Sequence, residues 1–154
     1  MLHCNGDIII RHNTLRNLVG DFAAGGLLSP QLEKQGILDN TTGRRPDDVT
    51  LQRWNAGGAI DVAITSALNK KAMRLESPCE EYAVTQKHGK YDKSFAETNT
   101  TFCAMVWKTL GALNSEGEEA SDLSLCSHVS SRSVYGRAWA RISCSLLTSV
   151  GRLS

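Results

Sequence analysis

The first hydrophobic positions fall at helical spacing. After Asn13, a helix-capping residue type, Leu15, Leu18, Val19 and Phe22 recur at i, i+3, i+4 and i+7, and Gly25-Gly26 follows. This predicts a helix that opens near Asn13 and stops at the glycines. Residues 29–45 are polar and carry Pro30, Gly36 and Gly43, so they read as a loop with room for one short element. The period then changes to two. Residues 48–54 (DVTLQRW) and 59–65 (AIDVAIT) alternate around Asn55-Ala56-Gly57-Gly58, the pattern of a β-hairpin. In the second run Ile60, Val62 and Ile64 share one face, and Asp61, Ala63 and Thr65 share the other.

Residues 66–79 read as a surface excursion made basic by Lys70, Lys71 and Arg74. A helix is expected over roughly 80–97, with Val84, Tyr91 and Phe95 as its apolar stripe. Residues 100–109 (TTFCAMVWKT) are apolar on both faces, which predicts a buried strand ended by Gly111. Ser115-Glu116-Gly117-Glu118 has the look of a helix start, with acids where the helix dipole favours them. Over 132–153, Tyr135, Trp139, Ile142, Leu146 and Val150 fall on one helical stripe, flanked by Arg137 and Arg141. The order helix, hairpin, helix, strand, helix, helix predicts a mixed α/β domain in which a small sheet is packed by helices.

Composition narrows the class. A chain of 154 residues suits one compact domain, and 41% hydrophobic with 21% charged residues is ordinary for a globular protein. The net charge of +1 supplies no global field toward nucleic acid or anionic membrane, so such binding needs local clusters of basic residues. No apolar run approaches the ~20 residues of a membrane span, and MLHCNGDIII lacks the basic and apolar regions of a signal peptide. Five cysteines without framework spacing read as free thiols in a reducing, intracellular compartment, cytoplasm or nucleus.

The candidate chemistry lies in the hairpin. Asp47 and Asp48 precede its first strand, and Asp61 interrupts a second strand that otherwise looks buried. If the turn centres on Ala56-Gly57, Asp61 pairs with Gln52 and lies too far from Asp48 to share an ion. If it centres on Trp54-Asn55, Asp48 and Asp61 face each other with Cβ atoms ~5 Å apart. Two like charges at that spacing call for a cation between them, and Mg²⁺ or Mn²⁺ with carboxylate oxygens and water fits. Glycine in the turn suits the first register, and a bulge or longer loop is needed for the second. In the plainer alternative Asp61 faces solvent and Arg44, Arg45 or Arg53 pair with the acids. Lys87 sharpens the question. It falls on the stripe of Val84 and Tyr91, whereas His88, Lys90 and Lys93 point elsewhere. An inward lysine either snorkels to the edge or aims its ammonium into a polar pocket, where it can orient water or steady a phosphate.

These residues, in this order, resemble a known family. Arg45-Pro46-(x)-Asp48-Val49, the hairpin with Trp54, and Ile60-Asp61-Val62-(x)-Ile64-Thr65 resemble the PD-(D/E)XK restriction-endonuclease-like superfamily. More narrowly, they are similar to the endonuclease domain associated with the reverse transcriptases of site-specific non-LTR retrotransposons. Arg11-His12-Asn13-(x)-(x)-Arg16 resembles its RHNxxRD signature, with Asn17 where Asp is expected. Lys87-His88-(x)-Lys90-Tyr91 resembles its KHxKY segment, and Arg141-Ile142-Ser143-(x)-Ser145-Leu146-Leu147 its closing helix. The likeness runs over nearly the whole chain.

The resemblance implies a restriction-endonuclease-like domain over residues 1–154, a fragment or remnant of a larger retroelement protein. It implies a metal-dependent DNA endonuclease or nickase, with Asp48 and Asp61 as Mg²⁺ (or Mn²⁺) ligands and Lys87 as the third catalytic residue. The lysine of the usual motif would stand at Ala63, and in this branch it is thought to move to the following helix, where Lys87 matches. Arg44, Arg45, Lys70, Lys71, Lys90, Arg137 and Arg141 would hold the DNA backbone, contacts that carry no sequence information. The family's zinc cluster would precede the RHN helix. His3, Cys4 and His12 are three potential ligands, fewer than a structural zinc site needs, so zinc is not expected. The alternatives are a degenerate domain that binds nucleic acid or a protein partner without cutting, and a fold kept as an interaction surface. No G-x-S-x-G turn or Gly-Lys-Ser/Thr phosphate loop offers competing chemistry.

Overall fold

The computed structural model describes residues 3–34, 37–38, 48–54, 57–66, 72–109 and 111–121. The protein is mixed α/β: a four-stranded mixed sheet is flanked by helices on both faces. Helix α1 (His3–Gly25) leads into β1 (Pro30–Leu32), β2 (Val49–Leu51) and β3 (Gly58–Thr65). A helical run follows, made of α2 (Pro78–Tyr82), a π-helical segment (Ala83–His88) and α3 (Gly89–Phe95). Strand β4 (Thr101–Lys108) and helix α4 (Ser115–Ala120) complete the described fold. The strands stand in chain order, antiparallel from β1 to β3 and parallel between β3 and β4.

Helix α1 starts at His3, about three turns before the expected Asn13 start. Asn13 is therefore interior rather than a cap. Glycine apart, no strong breaker separates His3 from Arg11, and an interior Asn costs only tenths of a kcal/mol. The later stripe behaves as the spacing predicts: Leu15, Val19 and Ala23 are buried with Leu28 against Val49, Leu51, Ile60 and Val62. β1 is the short element anticipated within 29–45, and β4 matches the expected buried strand. The amphipathic stretch at 132–153 lies outside the described residues.

The two sheet faces divide as alternation requires. Ile60 and Val62 join the α1 side, with Cys103, Met105 and Trp107 from β4. Ala59 and Ala63 face the other way, against Cys79, Ala83, Phe95 and Phe102. Asp61 shares that second face.

The hairpin register resolves the two alternatives. Val49 pairs with Ile60, Thr50 with Ala59 and Leu51 with Gly58. These pairs put the centre of the hairpin at Trp54-Asn55 and not at Ala56-Gly57, and the ladder ends at Val49, where the Asp48 N–H turns to the Ile60 carbonyl. The glycines do not mark the turn centre. Gly57 takes a positive φ of 125°, and Gly58 is the first residue of β3, where an added Cβ would meet the Trp54 ring at 2.1 Å. The glycine serves close packing under the tryptophan, which draws the loop back over the strand.

The helix after the hairpin corrects the expected stripe. Val84 is 60% exposed, whereas Cys79, Ala83 and Phe95 are buried. The inward positions 79, 83, 87, 91 and 95 step by four. Each four-residue step overshoots an α-helical turn by about 40°, so four steps would rotate the stripe by about 160°. The π segment, with i→i+5 bonding, inserts one extra residue and takes back about 100° of that. Lys87 lies in this segment and points inward, onto Asp61.

The outer edge of β4 is sealed by its own downstream chain. The buried Asn114 side chain accepts the Val106 N–H at 2.8 Å and donates to the Ala104 carbonyl at 2.8 Å. Its backbone N–H donates to the Val106 carbonyl. One residue thus satisfies groups that an edge strand would otherwise leave open to another chain.

Candidate functional site

Asp48 sits at the mouth of β2, where the backbone ladder ends. Its N–H donates to the Ile60 carbonyl at 2.8 Å, and its Oδ2 accepts the Val62 N–H at 2.7 Å. The side chain thereby replaces the next backbone acceptor and cannot swing away without orphaning Val62. His12, one turn before Leu15 on α1, reaches the same corner. Its Nε2 lies 3.2 Å from Asp48 Oδ2 and 3.1 Å from the Val62 carbonyl oxygen. Both partners are acceptors, so Nε2 carries the proton. The Asp48 hydrogen bond, aided by its charge, raises the His12 pKa against the opposing effect of burial. For Asp48, burial resists ionisation. The His12 hydrogen bond and charge, the Val62 N–H and the Lys87 charge outweigh it and hold the carboxyl below its usual range.

Asp61 is only 6% exposed. Lys87 Nζ meets both of its carboxylate oxygens, at 2.7 and 2.8 Å. Burial nevertheless pushes the Asp61 pKa up from 3.8 to about 6, with Asp48 adding to the rise through its charge and a side-chain hydrogen bond, while Lys87 opposes it. The two acids therefore face different balances. Asp48 has the His12 N–H and a backbone donor, whereas Asp61 has a cation but a drier setting and a neighbouring carboxyl.

The structure brings Asp48, Asp61 and Lys87 together and adds His12. The sequence placed His12 only among potential zinc ligands, and nothing in its local spacing announces a partner 36 residues away. His3 and Cys4 lie nine and eight residues before it on the same helix, roughly 12–14 Å along the axis. Lys90 is exposed, with Nζ 4.5 Å from the Tyr91 ring centroid and 2.7 Å from its hydroxyl. Arg44, Arg45, Lys70, Lys71, Arg137 and Arg141 lie outside the described residues.

Among the described residues, no group of three or more His, Cys, Asp or Glu side chains forms a metal cluster. A pair of carboxylates suits a hard divalent cation that keeps several waters. The His12 and Val62 hydrogen bonds fall on Asp48 Oδ2, and Asp61 can offer an oxygen to a cation where Lys87 yields one. Among the described residues, no helix is long and apolar enough to cross a membrane. No protein-family model matches the chain, and no curated protein matches it.

Proposed function

We propose that the chain is a metal-dependent DNA endonuclease or nickase of the PD-(D/E)XK kind its sequence resembles, derived from a retroelement. The observation that carries this reading is that the Asp48 carboxylate takes the N–H of Val62, the neighbour of Asp61, while Lys87 from the next helix meets both Asp61 oxygens. Asp48 and Asp61 would hold Mg²⁺ or Mn²⁺, which when bound supplies Lewis-acid activation of water and neutralises phosphate charge. The chain's own residues do the rest. Asp48 is held rigid by the Val62 N–H and His12. Lys87 carries its ammonium to the carboxylate that faces the reacting group, and on yielding an Asp61 oxygen it is free to donate to a phosphate oxygen or to the attacking water. The dry surroundings of Asp61 strengthen each of these charge interactions.

The test is nicking of supercoiled plasmid by the full chain with Mg²⁺ or Mn²⁺. Cleavage should vanish with EDTA, and Asp48→Asn, Asp61→Asn and Lys87→Met should each lower it by at least about a hundredfold. Cleavage that survives Asp61→Asn in a clean preparation refutes the proposal. A second reading has an observation in its favour: Lys87 on Asp61 and His12 on Asp48 already give each carboxylate a partner inside the fold. A degenerate domain of this kind would retain DNA without cutting it, with affinity falling steeply as salt rises.

A further inference from the structure

Beside Lys87 stands a second polar cluster that the nuclease chemistry does not use. His88, the last residue of the π segment, is bound at both ring nitrogens. Nδ1 lies 2.7 Å from Asp92 Oδ1, four residues on, and Nε2 lies 2.7 Å from Glu116 Oε2 on α4. Both partners are acceptors, so the ring satisfies both only as the imidazolium. The same Glu116 oxygen accepts the Ala104 N–H at 3.2 Å. Ala104 is the residue paired with Asp61 across β3 and β4. The Phe102 ring lies edge-on to His88, with centroids 5.3 Å apart, and stacks on Phe95 at 4.9 Å.

These contacts close a loop. Lys87 rests on Asp61, and Asp61 shares its rung with Ala104. Ala104 is tied to Glu116, Glu116 to His88, and His88 is the covalent neighbour of Lys87. A π turn is rare and less favourable than the α-helix around it. Released, the segment can relax by one residue, which turns its side chains by about 100°. That rotation would carry Lys87 off Asp61. We infer that His88 is a positioning residue that, through Glu116, locks the π segment in phase and so aims Lys87 at Asp61. Asp92, exposed and on the same helix, steadies the ring but ties it to nothing else. The inference rests on the nuclease proposal for what Lys87 does, and on geometry alone for where it points.

The experiment follows the Lys87 ammonium by ¹⁵N NMR in the full chain, in cold buffer at neutral pH, where Asp61 is ionised, with Lys87→Met assigning the resonance. An ammonium seated between two carboxylate oxygens exchanges slowly and gives a resolved signal. His88→Gln and Glu116→Gln should lose that signal while thermal unfolding stays cooperative, and Asp92→Asn should keep it. In the plasmid assay the first two variants should lower kcat about tenfold or more with KM unchanged, the signature of a misplaced group. A Lys87 signal that persists in both variants overturns the inference and leaves the nuclease proposal intact. Loss of cooperative folding in both also overturns it, because it makes His88 a folding residue. A wild-type chain that never cleaves DNA defeats the nuclease proposal, while the ammonium signal still decides the role of His88.

Discussion

Replacing Lys87 by Met removes a cation from a carboxylate that barely reaches water. The two side chains are 17% and 9% exposed, and Nζ contacts both Asp61 oxygens. Methionine fills much of the same volume, so packing loss is small. A buried ion pair broken on one side ordinarily costs about 3–5 kcal/mol. Asp61 has an escape, because burial and Asp48 already lift its pKa from 3.8 to about 6. An acid with a raised folded pKa binds its proton better folded than unfolded. The stability this gives is fully present below 3.8 and is lost as pH rises through about 6, after which it levels off. Without Lys87, the main influence lowering that pKa, the folded value climbs further and the loss continues above pH 6. Each further pH unit then adds ~1.4 kcal/mol to the difference between variant and wild type. The destabilisation should be near zero at pH 5, about 1 kcal/mol at pH 7 and about 3 kcal/mol at pH 8. Urea unfolding of both proteins across this range measures it. A difference that is flat with pH, or that grows toward acid, would show that Lys87 is not the counter-ion of Asp61.

Gly58→Ala should destabilise by about 1–3 kcal/mol by forcing the Trp54 ring off the hairpin, and quenching or a shift of Trp54 fluorescence would report it. Asn114→Ala removes two buried side-chain hydrogen bonds from the edge of β4 and should cost about 2–4 kcal/mol in urea unfolding, with a rising tendency to associate. His88 supplies a pH dependence of its own. Burial opposes its charge, but the hydrogen bonds it donates to Glu116 and Asp92, with their charges, outweigh that and raise its pKa above 6.5. The clamp should therefore contribute fully below about pH 6.5 and fade as pH rises through the folded value, and Glu116→Gln should flatten that slope in thermal unfolding.

Much of the fold was legible because periodicity reports which face of an element meets the core. The period of two in 59–65 separated Ile60 and Val62 from Asp61, and the two sides of the sheet divide them in the same way. The apolar run 100–109 identified a strand covered on both faces. Periodicity says nothing of how many residues a loop consumes, and so the hairpin register stayed open between two centres. It was settled by Trp54 folding back over Gly58, a contact that depends on the absence of a Cβ. The π turn was equally hidden. Val84 fits a regular helix better than the chain does, because the extra residue appears only as a mismatch in phase.

The sequence by itself supplied the ingredients of the candidate site: two carboxylates flanking a hairpin, and a lysine on the following helix for which an inward direction was one of two readings. It also determined the mixed α/β class, since alternation and helical spacing are local properties that each segment carries with it. Only the tertiary structure decided that the Asp48 carboxylate reaches the Val62 N–H beside Asp61, that His12 from the first helix braces Asp48, and that Glu116 ties His88 to the rung of Asp61. The partners in these contacts lie on different elements, and their meeting depends on loop length, register and helix phase together. Those quantities are fixed by packing across the whole core and leave no mark on any single stretch of chain.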